Sequence, residues 1–115
     1  MKRSVFVITL MVLLAAIHLW TPGVSGKDDE QGRKIYNEKC QFCHGINGNG
    51  DGPAAASLNP KPADFNDPKF WQQYDGKKMS DVIRNGRKMM PAFDLKPDEV
   101  KAVIDYIART YKKSK

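Results

Sequence analysis

Cysteine and histidine are both scarce in this chain, which has two of each among 115 residues. With only Cys40 and Cys43 available there is no disulfide framework of the kind that staples small exported domains. A structural zinc site usually needs four Cys or His ligands, and the residues beyond His18 offer three. Also missing are an alternating strand pattern of useful length, an internal repeat, and any basic block interleaved with aromatic residues. The last absence argues against nucleic acid as a partner. The formal charge of +6 is spread along the chain as a solvated surface that favours acidic partners.

What is present begins with Lys2 and Arg3, an apolar run from Val5 to Trp20, and the turn-prone Thr21-Pro22-Gly23-Val24-Ser25-Gly26. A basic start, an apolar middle and a small-residue end describe a secretory signal peptide over residues 1–26. The run has 16 residues, short of the roughly 20 that a spanning helix needs. Cleavage after Gly26 is expected, and contact with a membrane follows only if this segment stays on as an anchor. The product would be one domain, residues 27–115, of 89 residues; it loses Lys2 and Arg3 and no acid, so its formal charge falls from +6 to +4. A domain that small sits near the limit at which an apolar core suffices, so something else is expected to complete it.

Helical signals dominate that domain. Asp28 to Cys40 starts with three acids and places Ile35 and Tyr36 on an inward side, which predicts a first helix. From Gly45 to Pro68, four glycines and four prolines rule out long regular elements. Phe70 to Tyr74 fits one short aromatic-rich turn. Ser80 looks like the N-cap of a helix with Val82 and Ile83 inward and Gly86 as its stop. Pro97 opens the clearest helix: Asp98 and Glu99 complement its dipole, and Val100, Val103, Ile104 and Ile107 repeat at helical spacing. The fold class is all-α, three to five short helices joined by long loops, and loops that long need something to pack on.

The stretch Cys40-Gln41-Phe42-Cys43-His44 admits several chemistries. A thioredoxin-like dithiol would need a strand feeding the motif, and a helix feeds it. Asn47, Asn49, Asp51 and Gly52 match the start of a calcium loop, but Leu58 stands where a bidentate Glu is required. Those residues suit a tight turning loop better. What remains is C-x-x-C-H, the signature of c-type haem attachment. Two thiols three residues apart on a helical turn can each add to a porphyrin vinyl group while the next imidazole faces the iron, giving thioethers at Cys40 and Cys43 and an axial ligand at His44. Export, a domain short of core, and a thioether for the other axial position corroborate it. Met90 stands before Pro91, which holds it extended. Met89 competes with it, and Met79 does so more remotely.

Gly32 and Tyr36 ahead of "CQFCHG", then "GNGDGP", "KPADF", "NGRKMMPAF" and "LKPDEVKAVIDYIARTY", resemble the class I cytochromes c, especially small bacterial single-haem members. The resemblance implies the cytochrome c fold, with first and last helices crossing at Gly32 and Tyr36 packed near Val103 and Tyr106. It also implies that the carbonyl of Pro53 accepts the Nδ1 hydrogen of His44, and that Trp71 or Arg87 serves the haem propionates. With His44 and Met90 both on the iron, no position is open for substrate. The expected function is therefore a periplasmic single-electron carrier with one covalent haem c, a monomer and not an enzyme, docking on redox partners through their acidic patches. The alternatives are a haem subunit of a larger periplasmic redox complex, and a gas sensor or weak peroxidase.

Overall fold

Residues 26–113 are described by the computed structural model, so all of the expected signal segment except Gly26 lies outside the described residues. The elements run in the order α1 (Gly26–Ile35), a π-helical turn (Tyr36–Cys40), α2 (Gln41–His44), a 3-10 turn (Ala55–Ser57), α3 (Pro68–Gln73), α4 (Gly76–Asn85) and α5 (Pro97–Tyr111). Among the described residues there is no strand, only an isolated antiparallel bridge between Arg87 and Met90. The all-α expectation holds.

The first predicted helix is there and runs on further. The π-helical turn widens the coil directly before the motif and passes into α2 at Cys40, whose φ is −111°. Two helix starts differ from the sequence reading. The α4 helix begins at Gly76 and not at Ser80, because the Asp75 side chain accepts a hydrogen bond of 2.8 Å from the Lys78 N–H. Ser80 therefore lies inside the helix, and Met79 joins Ile83 as its buried residue while Val82 is half-buried. The aromatic turn starts at Pro68, where Asp67 caps through Lys69 N–H at 2.9 Å and proline fills the first position. For α5, Pro97 leads and the Glu99 carboxylate accepts from the Lys96 N–H at 2.8 Å, tying down the entry.

The core forms where α1 crosses α5. Val103 is fully buried, and Tyr36, Val100 and Ile107 are nearly so. Glycine at position 32 is what allows the two backbones to meet: a Cβ there would collide with the carbonyl oxygen of Ala102 and come within 2.8 Å of the Tyr106 Cβ. Beyond the crossing, Tyr36 packs on Tyr106 with ring centroids 5.6 Å apart. On the surface an ion pair between Arg109 and Asp29, 2.6 Å long, ties the same two helices; exposed pairs of this kind contribute little.

The crossing fixes the outcome of adding one methyl group. Gly32→Ala is expected to destabilise the holoprotein by about 1–3 kcal/mol through overpacking, despite alanine's better helix propensity. Guanidinium unfolding against wild type measures it, and an unchanged or raised midpoint would show that the contact is looser than described.

Candidate functional site

The short α2 helix carries Cys43 and His44, and its end is closed by the loop that follows. Each of its last four carbonyls receives a backbone N–H: Gln41 from Gly45 (2.9 Å), Phe42 from Ala54 (3.0 Å), Cys43 from Gly52 (3.1 Å) and His44 from Gly50 (2.8 Å). A helix end normally leaves these acceptors without partners. The glycine-rich run is thus a cap that doubles back across the motif. Gly45 and Gly50 have positive φ values of 86° and 71°, a region glycine reaches without steric cost. The asparagines that resembled calcium ligands serve the turn: Asn66 Nδ2 donates to Asn47 O and to Asn49 Oδ1, both at 2.8 Å.

Two phenols hold the chain just past the histidine. Tyr36 donates to the Gly45 carbonyl at 2.7 Å, and Tyr111 donates to the Ile46 carbonyl at 2.9 Å. Burial, reinforced by Tyr111 beside it, pushes the Tyr36 phenol well above its ordinary range, so it stays a donor at any working pH.

His44 itself is half-buried, with Nδ1 3.1 Å from the carbonyl oxygen of Ala63. This corrects the expectation for Pro53, which is exposed and does not reach the site. The run from Gly50 to Ala54 is committed to capping α2, and the chain returns to the imidazole only later, at Ala63. Burial pulls the imidazole below its ordinary pKa while the Ala63 carbonyl opposes that shift. A neutral ring donating from Nδ1 leaves Nε2 as the free base, the state a metal ligand requires. Burial, then Cys43, pushes the Cys40 thiol up to about 12. No disulfide joins Cys40 and Cys43.

A cavity of about 290 Å³ opens in front of these groups. Cys40, Cys43, His44 and Met90 all line it, as do Met79 and Met89. Met90 N–H donates to Arg87 O and Arg87 N–H donates to Met90 O, each at 2.9 Å, so a tight turn clamps the Met90 backbone. Lys88 in that turn has a positive φ of 52°. Met89 sits beside it with 53 % of its surface exposed, whereas Met90 is half-buried against the core.

The remaining walls are largely apolar, and no Asp or Glu lines the cavity. Its charged lining residues are Lys39, Lys61, Arg87 and Lys88. Arg87 Nη1 donates to the Tyr74 hydroxyl, with the guanidinium 5.7 Å from that ring's centroid, and both residues line the cavity. Trp71 does not; its indole donates to the Phe65 carbonyl at 2.8 Å. Among the described residues no three His, Cys, Asp or Glu side chains converge on a bare metal ion. Thiols, an imidazole and a thioether around an apolar slot fit a large flat group carrying its own metal, and haem is such a group. Nothing in the sequence marks Tyr74 for the site, and "KPADF" is the only local signal for Ala63 and Phe65.

The family model described as "Cytochrome C oxidase, cbb3-type, subunit III" matches residues 27–107. Among solved structures, the KustC0563 c-type cytochrome is similar, with 27% sequence identity and a TM-score of 0.58 over 69% of this chain and 95% of that one. No curated protein matches the chain.

The phenol clamp behind His44 generates a measurable expectation. Tyr36→Phe leaves the buried Gly45 carbonyl without its donor and is expected to cost about 1–3 kcal/mol of stability. Denaturant unfolding of the purified holoprotein checks this, and a loss below half of that range would mean that water replaces the phenol.

Proposed function

The chain belongs to the family of the cbb3-type cytochrome c oxidase subunit III; as a small class I c-type cytochrome with an all-α cytochrome c fold it is built for haem-based electron transfer, and from that premise we propose that it is an exported, periplasmic single-electron carrier with one covalent haem c. Cys40 and Cys43 would form the thioethers, and His44 Nε2 and Met90 Sδ would hold the iron. The observation that carries this reading is that Cys40, Cys43, His44 and Met90, distant in sequence, line one apolar cavity without a carboxylate. The haem iron, when bound, supplies a reversible one-electron couple whose potential a His/Met pair raises relative to two histidines.

The protein's own residues do the rest. Ala63 fixes the histidine tautomer, and the Arg87–Met90 bridge presents the methionine. Phe65, Ile83 and Ile107 keep water from the cavity's inner wall. With His44 and Met90 both holding a bound haem iron, no position would be open for substrate, which would favour carrying electrons over transforming a substrate. Met90 is the ligand in preference to Met89 because its backbone is clamped and its side chain packs inward. Lys39, Lys61, Arg87 and Lys88 flank the opening and steer a redox partner that presents an acidic patch, in a brief encounter of a monomer. Export rests on the leader read in residues 1–26; among the described residues no helix is long and apolar enough to cross a membrane.

The family description favours one second reading, a haem subunit working inside a larger redox complex. Gel filtration of a native extract separates the two, since co-migration with a flavin, quinoprotein or copper protein excludes the free carrier.

Visible spectra of the oxidised and reduced protein test the ligand set. Met90→Ala is expected to abolish the ferric methionine-ligation band and lower the potential, and Met89→Ala to leave both as in wild type. If neither substitution alters the band, Met90 is not the ligand; if acid extraction strips all haem from the wild type, the attachment is not covalent and the reading fails.

Charge steering has its own signature. Lys61→Glu combined with Lys88→Glu is expected to slow association with an acidic redox partner on the order of tenfold at low salt and to flatten the salt dependence of the rate. Stopped-flow electron transfer across a range of ionic strength reads both, and salt curves that superimpose would exclude these lysines from docking.

A further inference from the structure

Phe65 has no polar side-chain atom, yet it is among the most tightly held residues near His44. Its N–H donates to the Gly48 carbonyl at 2.7 Å, and its own carbonyl accepts the Trp71 indole N–H at 2.8 Å. The ring is 5 % exposed and is wedged between Phe70 (centroids 5.1 Å apart, 70° between planes) and Tyr111 (6.1 Å, 25°). Against these supports it lies nearly parallel to the His44 imidazole, 4.6 Å away and tilted by 16°. An imidazole whose Nδ1 is hydrogen-bonded can still rock about its Cβ–Cγ bond; a flat ring pressed on its face removes that freedom. Both restraints come from one short segment, Ala63 to Phe65, and Trp71 anchors its end.

We propose that Phe65 is a positioning residue for His44: its ring, locked in place by Gly48 and Trp71, sets the plane in which the imidazole is offered to the iron. Trp71 acts through Phe65 and touches neither His44 nor the cavity. The inference rests on the reading of His44 as an axial ligand. It assigns a task to an aromatic cluster that would otherwise be core filling, and it explains why an indole N–H is spent on a backbone carbonyl inside a loop. Stacked aromatic pairs of this sort contribute beyond their buried area, which makes the orientation worth holding.

In a low-spin ferric haem the unpaired spin follows the orientation of the axial ligands, so with the methionine side untouched, changes in the paramagnetically shifted haem methyl resonances report the imidazole plane. Proton NMR of the ferric holoprotein is therefore the readout, compared for wild type, Phe65→Leu, Trp71→Phe and Val100→Ala. Phe65→Leu, which keeps an apolar side chain but loses the flat face, is expected to change the order or spread of the methyl resonances. Trp71→Phe, which removes the donor to Phe65 while keeping an aromatic ring against Phe70, should shift them in the same sense by less. Val100→Ala weakens the buried helix crossing away from the cavity and should leave the pattern unchanged. A Phe65→Leu pattern that overlays wild type overturns the inference, and so does an equal change in Val100→Ala. Should Phe65→Leu fail to accumulate as holoprotein, Trp71→Phe decides, and a wild-type pattern there overturns it. A wild type that carries no haem with an axial histidine overturns the functional reading and this inference together, whereas a loaded wild type with unresponsive variants overturns this inference alone.

Discussion

The structure depends on how one very short helix is finished. A helix of four residues, Gln41–His44, cannot sustain itself: its hydrogen-bonded interior is almost nil, and nearly all of its carbonyls are end groups. The loop from Gly45 to Ala54 answers each of those carbonyls with an N–H of its own. That constraint dictates the composition of the loop. To turn back at once and pass close over the helix end, the chain needs positive φ at Gly45 and Gly50, and at Gly52 it needs the absence of a side chain, because a Cβ there would strike the Phe42 carbonyl. The glycines therefore belong to the same device as the cysteines and the histidine they follow.

From that cap the rest of the architecture can be traced. Tyr36, one turn before the motif, and Tyr111, the last residue of α5, both reach the carbonyls immediately after His44. The two ends of the domain thus meet behind the histidine, and Gly32 permits the helix crossing that brings them there. The crossing brings the phenols to that segment, and the carbonyls they hold are contiguous with the backbone that carries the imidazole.

The sequence made some of this legible and hid the rest for physical reasons. Helix α5 was readable because its signals are local: a proline start, acids in the first turn and an apolar stripe of one period. The C-x-x-C-H motif was readable because its chemistry lies within five residues. Ser80 misled as a cap because Asp and Ser suit that role equally, and Asp75, five residues upstream, takes it at the head of α4. The partner of His44 Nδ1 was not readable at all. Pro53 and Ala63 both follow the motif in a loop without periodicity, and which carbonyl arrives depends on how many residues the cap consumes before the chain is free to return. Phe65 was hidden for the same reason: a phenylalanine in a loop reads as core, and only its 4.6 Å parallel contact with an imidazole distinguishes it.

Phe65, Met79, Ile83 and Ile107 belong at once to the buried core and to the wall of the cavity. Dispersion contacts are individually weak and count only when a side chain is surrounded, so residues with one face on a cavity depend on whatever fills it. A haem seated between Cys40, His44 and Met90 would lie against all four and would extend a core that is small in a domain of this length. Ligand binding that is selective for the folded state adds directly to its stability. The apolar walls that tune a buried redox centre are therefore the walls that need it for packing, and no separate apolar layer has to serve either purpose.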